Sequence, residues 1–150
     1  MSRKLRVLVF EDDAIIRHII ERILKIRGYE VFTYDNPTRC PLNDAKDCGC
    51  SSKSNCADMI ISDIKMPHVD GLSFIQNMFE KGCSVHPENI CVISGFWSEE
   101  CLKAATLLGV KQIYKPFTMD YLNSWLDERE KSIDFDKELI DIVKIQEKTS

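Results

Sequence analysis

The sequence predicts an α/β fold, a doubly wound five-stranded parallel sheet with helices on both faces. Three observations predict it. Five short apolar runs alternate with segments of helical periodicity. Most of these runs are apolar throughout, as strands covered on both faces are. Where the runs stop, carboxylates, a serine and a lysine stand in place of ordinary turn residues.

LRVLVF (5–10) is a β-branched apolar run and the first strand. AIIRHIIERILKIRG (14–28) places Ile16, Ile19, Ile20, Ile23 and Ile26 at helical spacing and stops at Gly28. YEVFTY (29–34) alternates and reads as a strand, and MIIS (59–62) is the next. GLSFIQNMFEKG (71–82) is helical, with Leu72, Ile75 and Phe79 on one face. ICVIS (90–94) is a strand, followed by helix 98–109 with Ser98 as N-cap and Gly109 as stop. VKQIY (110–114) is the fifth strand, and TMDYLNSWLDEREK (118–131) a helix capped by Thr118.

The 150 residues suffice for one domain with a sizeable core. Apolar residues make up 44% and charged residues 29%, the balance of a soluble globular protein. The net charge is −4 and the basic residues are scattered, which leaves no footprint for nucleic acid. No apolar stretch is long enough to cross a membrane. LRVLVF is too short for the core of a signal peptide and runs into Glu11-Asp12-Asp13, so the expected location is the cytoplasm. In that reducing compartment the seven cysteines are expected as thiols or metal ligands rather than a disulfide framework.

In a parallel doubly wound sheet, ligands sit at the carboxyl ends of the strands. Those ends carry Glu11-Asp12-Asp13, Asp63, Ser94-Gly95 and Lys115-Pro116. Clustered carboxylates repel unless a cation joins them, and hard oxygen ligands suit Mg²⁺. Lys115 adds a fixed positive charge and Ser94 a hydroxyl donor, so the set can hold a tetrahedral anion beside the metal. Asp63 is then a candidate nucleophile able to form an acyl phosphate. Taken singly these residues read more plainly: an acidic run before a helix caps its first turn, the role expected for Asp13.

Four stretches, VLVFEDD…R (7–17), MIISDIKMPHVDG (59–71), VISG (92–95) and YKPF (114–117), make the chain resemble the receiver domain of two-component response regulators. The resemblance covers roughly 4–131 and implies a flavodoxin-like sheet. It implies that Asp63 accepts a phosphoryl group from a sensor histidine kinase or phosphotransfer protein. It further implies Mg²⁺ bound by Asp12 and Asp63, by Glu11 through water, and by the backbone carbonyl of Lys65. Ser94 would hydrogen-bond the phosphoryl group and Lys115 pair with it, the Lys115–Pro116 bond being cis. Pro67 and Gly71 would shape the loop after Asp63. The implied role is a signalling switch whose only chemistry is its own phosphorylation and dephosphorylation. Its partner surface for an effector or output domain would be helix 98–109, strand 110–114 and helix 118–131, with a homodimer as a further expectation.

The chain departs from this pattern in several places. Gln112 stands where receivers usually carry Tyr or Phe, and Tyr114 should face away from Lys115. Ser94 is therefore expected to move with another side chain reporting it. Lys65 and Phe96 flank the site, and Phe96 is expected to shield it and slow phosphoryl decay. Residues 36–57 replace the second helix with a loop holding Cys40, Cys48, Cys50 and Cys56, candidate ligands for Zn²⁺, the alternatives being free thiols or a disulfide and, after those, an iron–sulfur cluster. Cys91 and Cys101 are expected in the core and Cys83 in a loop, and His18, His68 and His86 lack ligand spacing. The domain organisation is a receiver over 1–131 and a helical extension over 132–150, where Phe135, Leu139, Ile142 and Val143 form a stripe and Asp134 a cap. The competing functions are a metal or thiol sensor on a receiver scaffold, and a metal-dependent phosphohydrolase using Asp63. The second is disfavoured because Lys65 stands where a general acid is needed.

Overall fold

The computed structural model describes residues 3–35, 54–66 and 69–139. Five parallel strands form the central sheet: β1 (Arg6–Phe10), β2 (Glu30–Tyr34), β4 (Met59–Asp63), β7 (Ile90–Ser94) and β8 (Lys111–Tyr114). Between them run α1 (Ala14–Ile26), α2 (Gly71–Glu80) and α3 (Glu99–Leu108), and α4 (Met119–Glu130) follows β8. The short pieces are β3 (Ser54–Asn55), β5 (Lys65–Met66), β6 (Val69–Asp70) and β9 (Glu138–Leu139). The sheet order is β2-β1-β4-β7-β8. Chain progression reverses between β1 and β4, which opens a crevice at their carboxyl ends.

β1, β4 and β7 are buried at every residue, which explains their unbroken apolar character. Their side chains divide between two cores. Val7, Val9, Met59, Ile61 and Ile93 pack with Ile20, Ile23 and Leu24 of α1 and Leu122, Trp125 and Leu126 of α4. Leu8, Phe10, Ile60 and Val92 pack on the opposite face with Leu72, Phe74, Ile75 and Met78 of α2 and Ala105 of α3. Each such fully buried side chain contributes about 1.5–3 kcal/mol by leaving water. The expected caps form: Ser98 Oγ accepts from Cys101 N at 3.1 Å and Thr118 Oγ1 from Tyr121 N at 3.0 Å. Gly109 closes α3 in the left-handed conformation at φ 80°, where a Cβ is disfavoured.

The amino end of the sheet is closed by charge. Asp58 precedes β4 and is 4% exposed. Its carboxylate accepts two bonds from the Arg3 guanidinium, at 2.7 and 2.8 Å, and the Arg6 backbone N–H at 2.8 Å. Arg3 also donates to the carbonyls of Lys137 (3.0 Å) and Asp134 (3.3 Å) and lies 5.5 Å from the Phe135 ring centroid. The chain after α4 is thereby strapped beneath the sheet, and β9 pairs in parallel with β3.

This strap corrects the expected C-terminal helix. Over 132–139 the chain turns instead of coiling. Asp134 accepts from Asp136 N in a local turn, and the carbonyls a helix would use internally go to Arg3. Ile142 and Val143 lie outside the described residues. So do 36–53 of the cysteine-rich stretch, with Cys40, Cys48 and Cys50. At the described end of that stretch Ser54 and Asn55 form β3, and Cys56 and Ala57, in the link to β4, are buried in the α2-side core.

Asp58→Ala is expected to lower unfolding free energy by about 3 kcal/mol, because it strands a buried backbone N–H and the Arg3 guanidinium. Urea titration checks this, and a loss below about 1 kcal/mol would mean that water replaces the carboxylate.

Candidate functional site

Glu11 and Asp12 follow β1 directly, and local bonds fix the turn they occupy. Glu11 N donates to Tyr34 O at 3.1 Å, and Arg17 from α1 donates to Glu11 O at 2.9 Å. Asp13 turns the other way and caps α1, accepting from Ile15 N and Ile16 N at 2.9 and 3.2 Å. The acidic run thus divides: Asp13 serves the helix, and Glu11 and Asp12 serve the crevice.

Asp63 ends β4 beside them and is 5% exposed. Glu11, Asp12 and Asp63 bring one carboxylate oxygen each within 4.8 Å of one another. Lys115 arrives from the end of β8, across a cis Lys115–Pro116 bond as expected. Its Nζ lies 3.0 Å from Asp63 Oδ2, 3.0 Å from Glu11 Oε2 and 3.2 Å from Glu11 Oε1. Asp63 Oδ1 accepts from Lys65 N at 3.3 Å.

The electrostatics follow from burial. Glu11 is pushed up to about 7, first by loss of water and then by the neighbouring Asp63 charge, against the bond from Lys115. Burial alone would lower the Lys115 ammonium, but its bonds to Asp63 and Glu11 raise it above the ordinary lysine range. Two buried carboxylates thus share one ammonium. Glu11 Oε2 is buried, and its approach to Lys115 is an ion pair without hydrogen-bond geometry. A buried oxygen left without a hydrogen bond, between two further carboxylates, is a donor set that fits a hard divalent cation.

Gly71 is required by close approach. A Cβ there would lie 2.0 Å from the Asp63 carbonyl oxygen and 2.9 Å from its carbon. Gly71 N also donates to Ile64 O at 2.8 Å, so α2 begins hard against the strand end that presents Asp63.

Ser94 ends β7 and is 2% exposed, but its hydroxyl does not point into the carboxylate cluster. It donates to Phe96 O at 2.8 Å and accepts from Phe96 N at 3.2 Å. The Phe96 side chain is exposed, with Lys65 Nζ 5.8 Å from its ring centroid. On β8, Gln112 and Tyr114 lie on the α3 side. Gln112 bonds Thr106 Oγ1 and Leu102 O, and the Tyr114 ring lies 6.1 Å from that of Trp97. Arg17 as the clamp on the Glu11 carbonyl is not foreseen from the sequence, where it reads as one more charge on the exposed face of α1. Nor is Trp97, whose buried position beside an exposed Phe96 has no periodic signal.

Fold and site together define a doubly wound α/β module whose carboxylates and lysine meet at the sheet's switch point. A family model described as the response regulator receiver domain matches residues 7–127, and the chain belongs to that family. A probable transcriptional regulatory protein of a Picosynechococcus strain is 33% identical over 120 residues, 79% of this chain and 46% of that protein. The chemotaxis protein CheY of Treponema pallidum is 33% identical over 116 residues, 74% of this chain and 72% of that protein. The chain spans less than half of the first of these relatives. A Francisella response regulator receiver domain superposes with a TM-score of 0.69 at 21% identity, covering 86% of this chain and 98% of that one. Vibrio cholerae CheY4 gives 0.65 at 24% identity, covering 84% and 98%. Among the described residues no helix is long and apolar enough to cross a membrane.

Gly71→Ala is expected to cost about 1–3 kcal/mol or more through overpacking, because the obstacle is backbone. Thermal unfolding with and without Mg²⁺ checks it. A variant as stable as wild type would show that α2 can shift without disturbing Asp63.

Proposed function

We propose that Asp63 accepts a phosphoryl group from a phosphohistidine on a sensor kinase or phosphotransfer protein, and that the chain is thereby a signalling switch. The observation that carries this reading is the convergence of Glu11, Asp12, Asp63 and Lys115 from three strand ends. An Asp63 carboxylate oxygen attacks phosphorus as the P–N bond breaks. The electron pair returns to the imidazole nitrogen, which takes up a proton, and an acyl phosphate remains. Glu11, Asp12, Asp63 and the Lys65 carbonyl would hold Mg²⁺, which offsets the negative charge gathered between the carboxylate and the phosphoryl oxygens. Lys115 pairs with the transferred group and holds it beside β8. The Ser94 hydroxyl supplies a further donor once it leaves Phe96. Water attack on phosphorus later releases phosphate and restores the carboxylate.

A donor protein needs a docking surface beside Lys115. A groove of about 360 Å³ lined by Ile16, Ile19, Pro116, Phe117 and Met119 borders that residue. Ile19 is 47% exposed and Met119 55%, an apolar rim suited to a partner helix that presents its phosphohistidine to the crevice. The α3–β8–α4 face remains for the effector or output domain. The sensor and phosphohydrolase readings gain no observation. The Lys65 ammonium lies against Phe96, and three of the four cysteines lie outside the described residues.

Intact-mass measurement after incubation with Mg²⁺ and acetyl phosphate should show one phosphoryl adduct on wild type and none on Asp63→Asn. A folded wild type that binds Mg²⁺ and takes no adduct would refute phosphorylation from small donors, and an equal adduct on the variant would place the acceptor elsewhere. Phe96→Ala should release phosphate several-fold faster in a decay time course, whereas an unchanged rate would leave Phe96 as a mere cover for Lys65.

A further inference from the structure

The Ser94 hydroxyl has one proton and two acceptors competing for it. In the structure Phe96 O holds it at 2.8 Å. Residue 63 sits opposite Ile93 in the β4–β7 ladder, so Ser94 lies one residue beyond the strand position facing Asp63. A phosphoryl group on Asp63 would bring oxygens carrying close to two negative charges to this strand end, and a charged acceptor outcompetes a neutral carbonyl for a donor. Turning to it, Ser94 releases Phe96 O and the Phe96 N–H together, and the two peptides that flank Phe96 must find other partners.

The next residue restricts how those peptides can move. Trp97 is 7% exposed, packs in the α2-side core and donates its indole N–H to Ile113 O at 3.1 Å. Its ring lies 6.1 Å from Tyr114 at an interplanar angle of 57°. Tyr114 is 56% exposed on β8, the edge strand. Immediately after Trp97, Ser98 caps α3. Five consecutive residues, 94–98, therefore join the phosphoryl site to the start of α3, and a single buried indole ties their middle to β8.

We propose that Trp97 is the positioning residue through which Ser94 acts on the surface: release of the peptides that flank Phe96 shifts the indole at Ile113 O, and with it Tyr114 and the start of α3. The inference rests on phosphorylation of Asp63 and names the residue that carries the change where Gln112 cannot.

The test uses the whole chain carrying 5-fluorotryptophan, observed by fluorine NMR with Mg²⁺ and acetyl phosphate while intact mass counts the adduct. The protein has two tryptophans, so Trp97→Phe assigns both signals. The expected result is a Trp97 signal that shifts in proportion to the adduct while Trp125, in the opposite core, stays in place. In Ser94→Ala, compared at equal adduct fraction, the shift should vanish. Trp97→Phe should still take the adduct, but a 3-fluorotyrosine signal from Tyr114 should no longer respond. Full adduct with an unmoved Trp97 signal would overturn the proposal, as would a wild-type shift in Ser94→Ala or a normal Tyr114 response in Trp97→Phe. Absence of any adduct would instead overturn the phosphoacceptor reading, and the proposal would fall with it. If Trp97→Phe does not fold, Trp125→Phe assigns the two signals by elimination and the first comparison decides.

Discussion

Two buried carboxylates set against one ammonium form the constraint on which the rest of this structure depends. Lys115 lies 3.0 Å from both Asp63 and Glu11, and no second cation among the described residues reaches the pair. Loss of water, and after it the Asp63 charge, pushes Glu11 up to about 7. The ammonium covers one charge of the two. The remaining negative charge is the reason a site built from these residues suits a hard cation, and the cation in turn suits a phosphoryl dianion. Such a cluster is a poor way to gain stability, since apolar replacements of buried ion pairs are often neutral or stabilising by about 1–4 kcal/mol.

The surrounding elements can be understood as means of aiming those groups. β1 and β4 lie side by side at the switch point, so their last residues face one crevice. Asp13 diverts one carboxylate of the acidic run into capping α1, and Arg17 fixes the carbonyl of the preceding Glu11. Gly71 lets α2 start against the Asp63 carbonyl, which no side chain would permit. Each of these contacts is short-range in sequence or strand-adjacent, so a few motifs encode this part of the geometry, and only Lys115 arrives from a non-neighbouring strand.

That locality explains what was legible in the sequence. The five strands and four helices follow from periodicity, and the site residues follow from asking what stands at strand ends. The cis Lys115–Pro116 bond was implied by the family resemblance and is present. What escaped was non-local. Phe135 and Leu139 have helical spacing, yet Arg3, more than 130 positions away, draws the carbonyls of that segment outward. Cys56 looked like one of four loop thiols, but Asn55 pairs with Leu139 and Cys56 itself turns into the core. Trp97 lies in a five-residue link with no period to read, and its role depends on a carbonyl of β8 that only the fold brings near.

The positions of the pins also determine where the molecule can change. β4 is held at its start by Arg3 and the Arg6 amide on Asp58, and at its end by Lys115 on Asp63 and by Gly71 beneath it. It is buried at all five residues, so a charge added to Asp63 cannot be accommodated by moving the strand. β8 differs: it pairs on one side only, and just one of its four residues is fully buried. Turning the Ser94 hydroxyl exchanges one acceptor for another and frees Phe96 N–H and C=O to bond elsewhere, so the 94–98 link can rearrange while β4 stays fixed. A rigid centre, a short link at 94–98 and a loosely held edge strand are the arrangement that the proposed switch needs to carry a local charge to the surface.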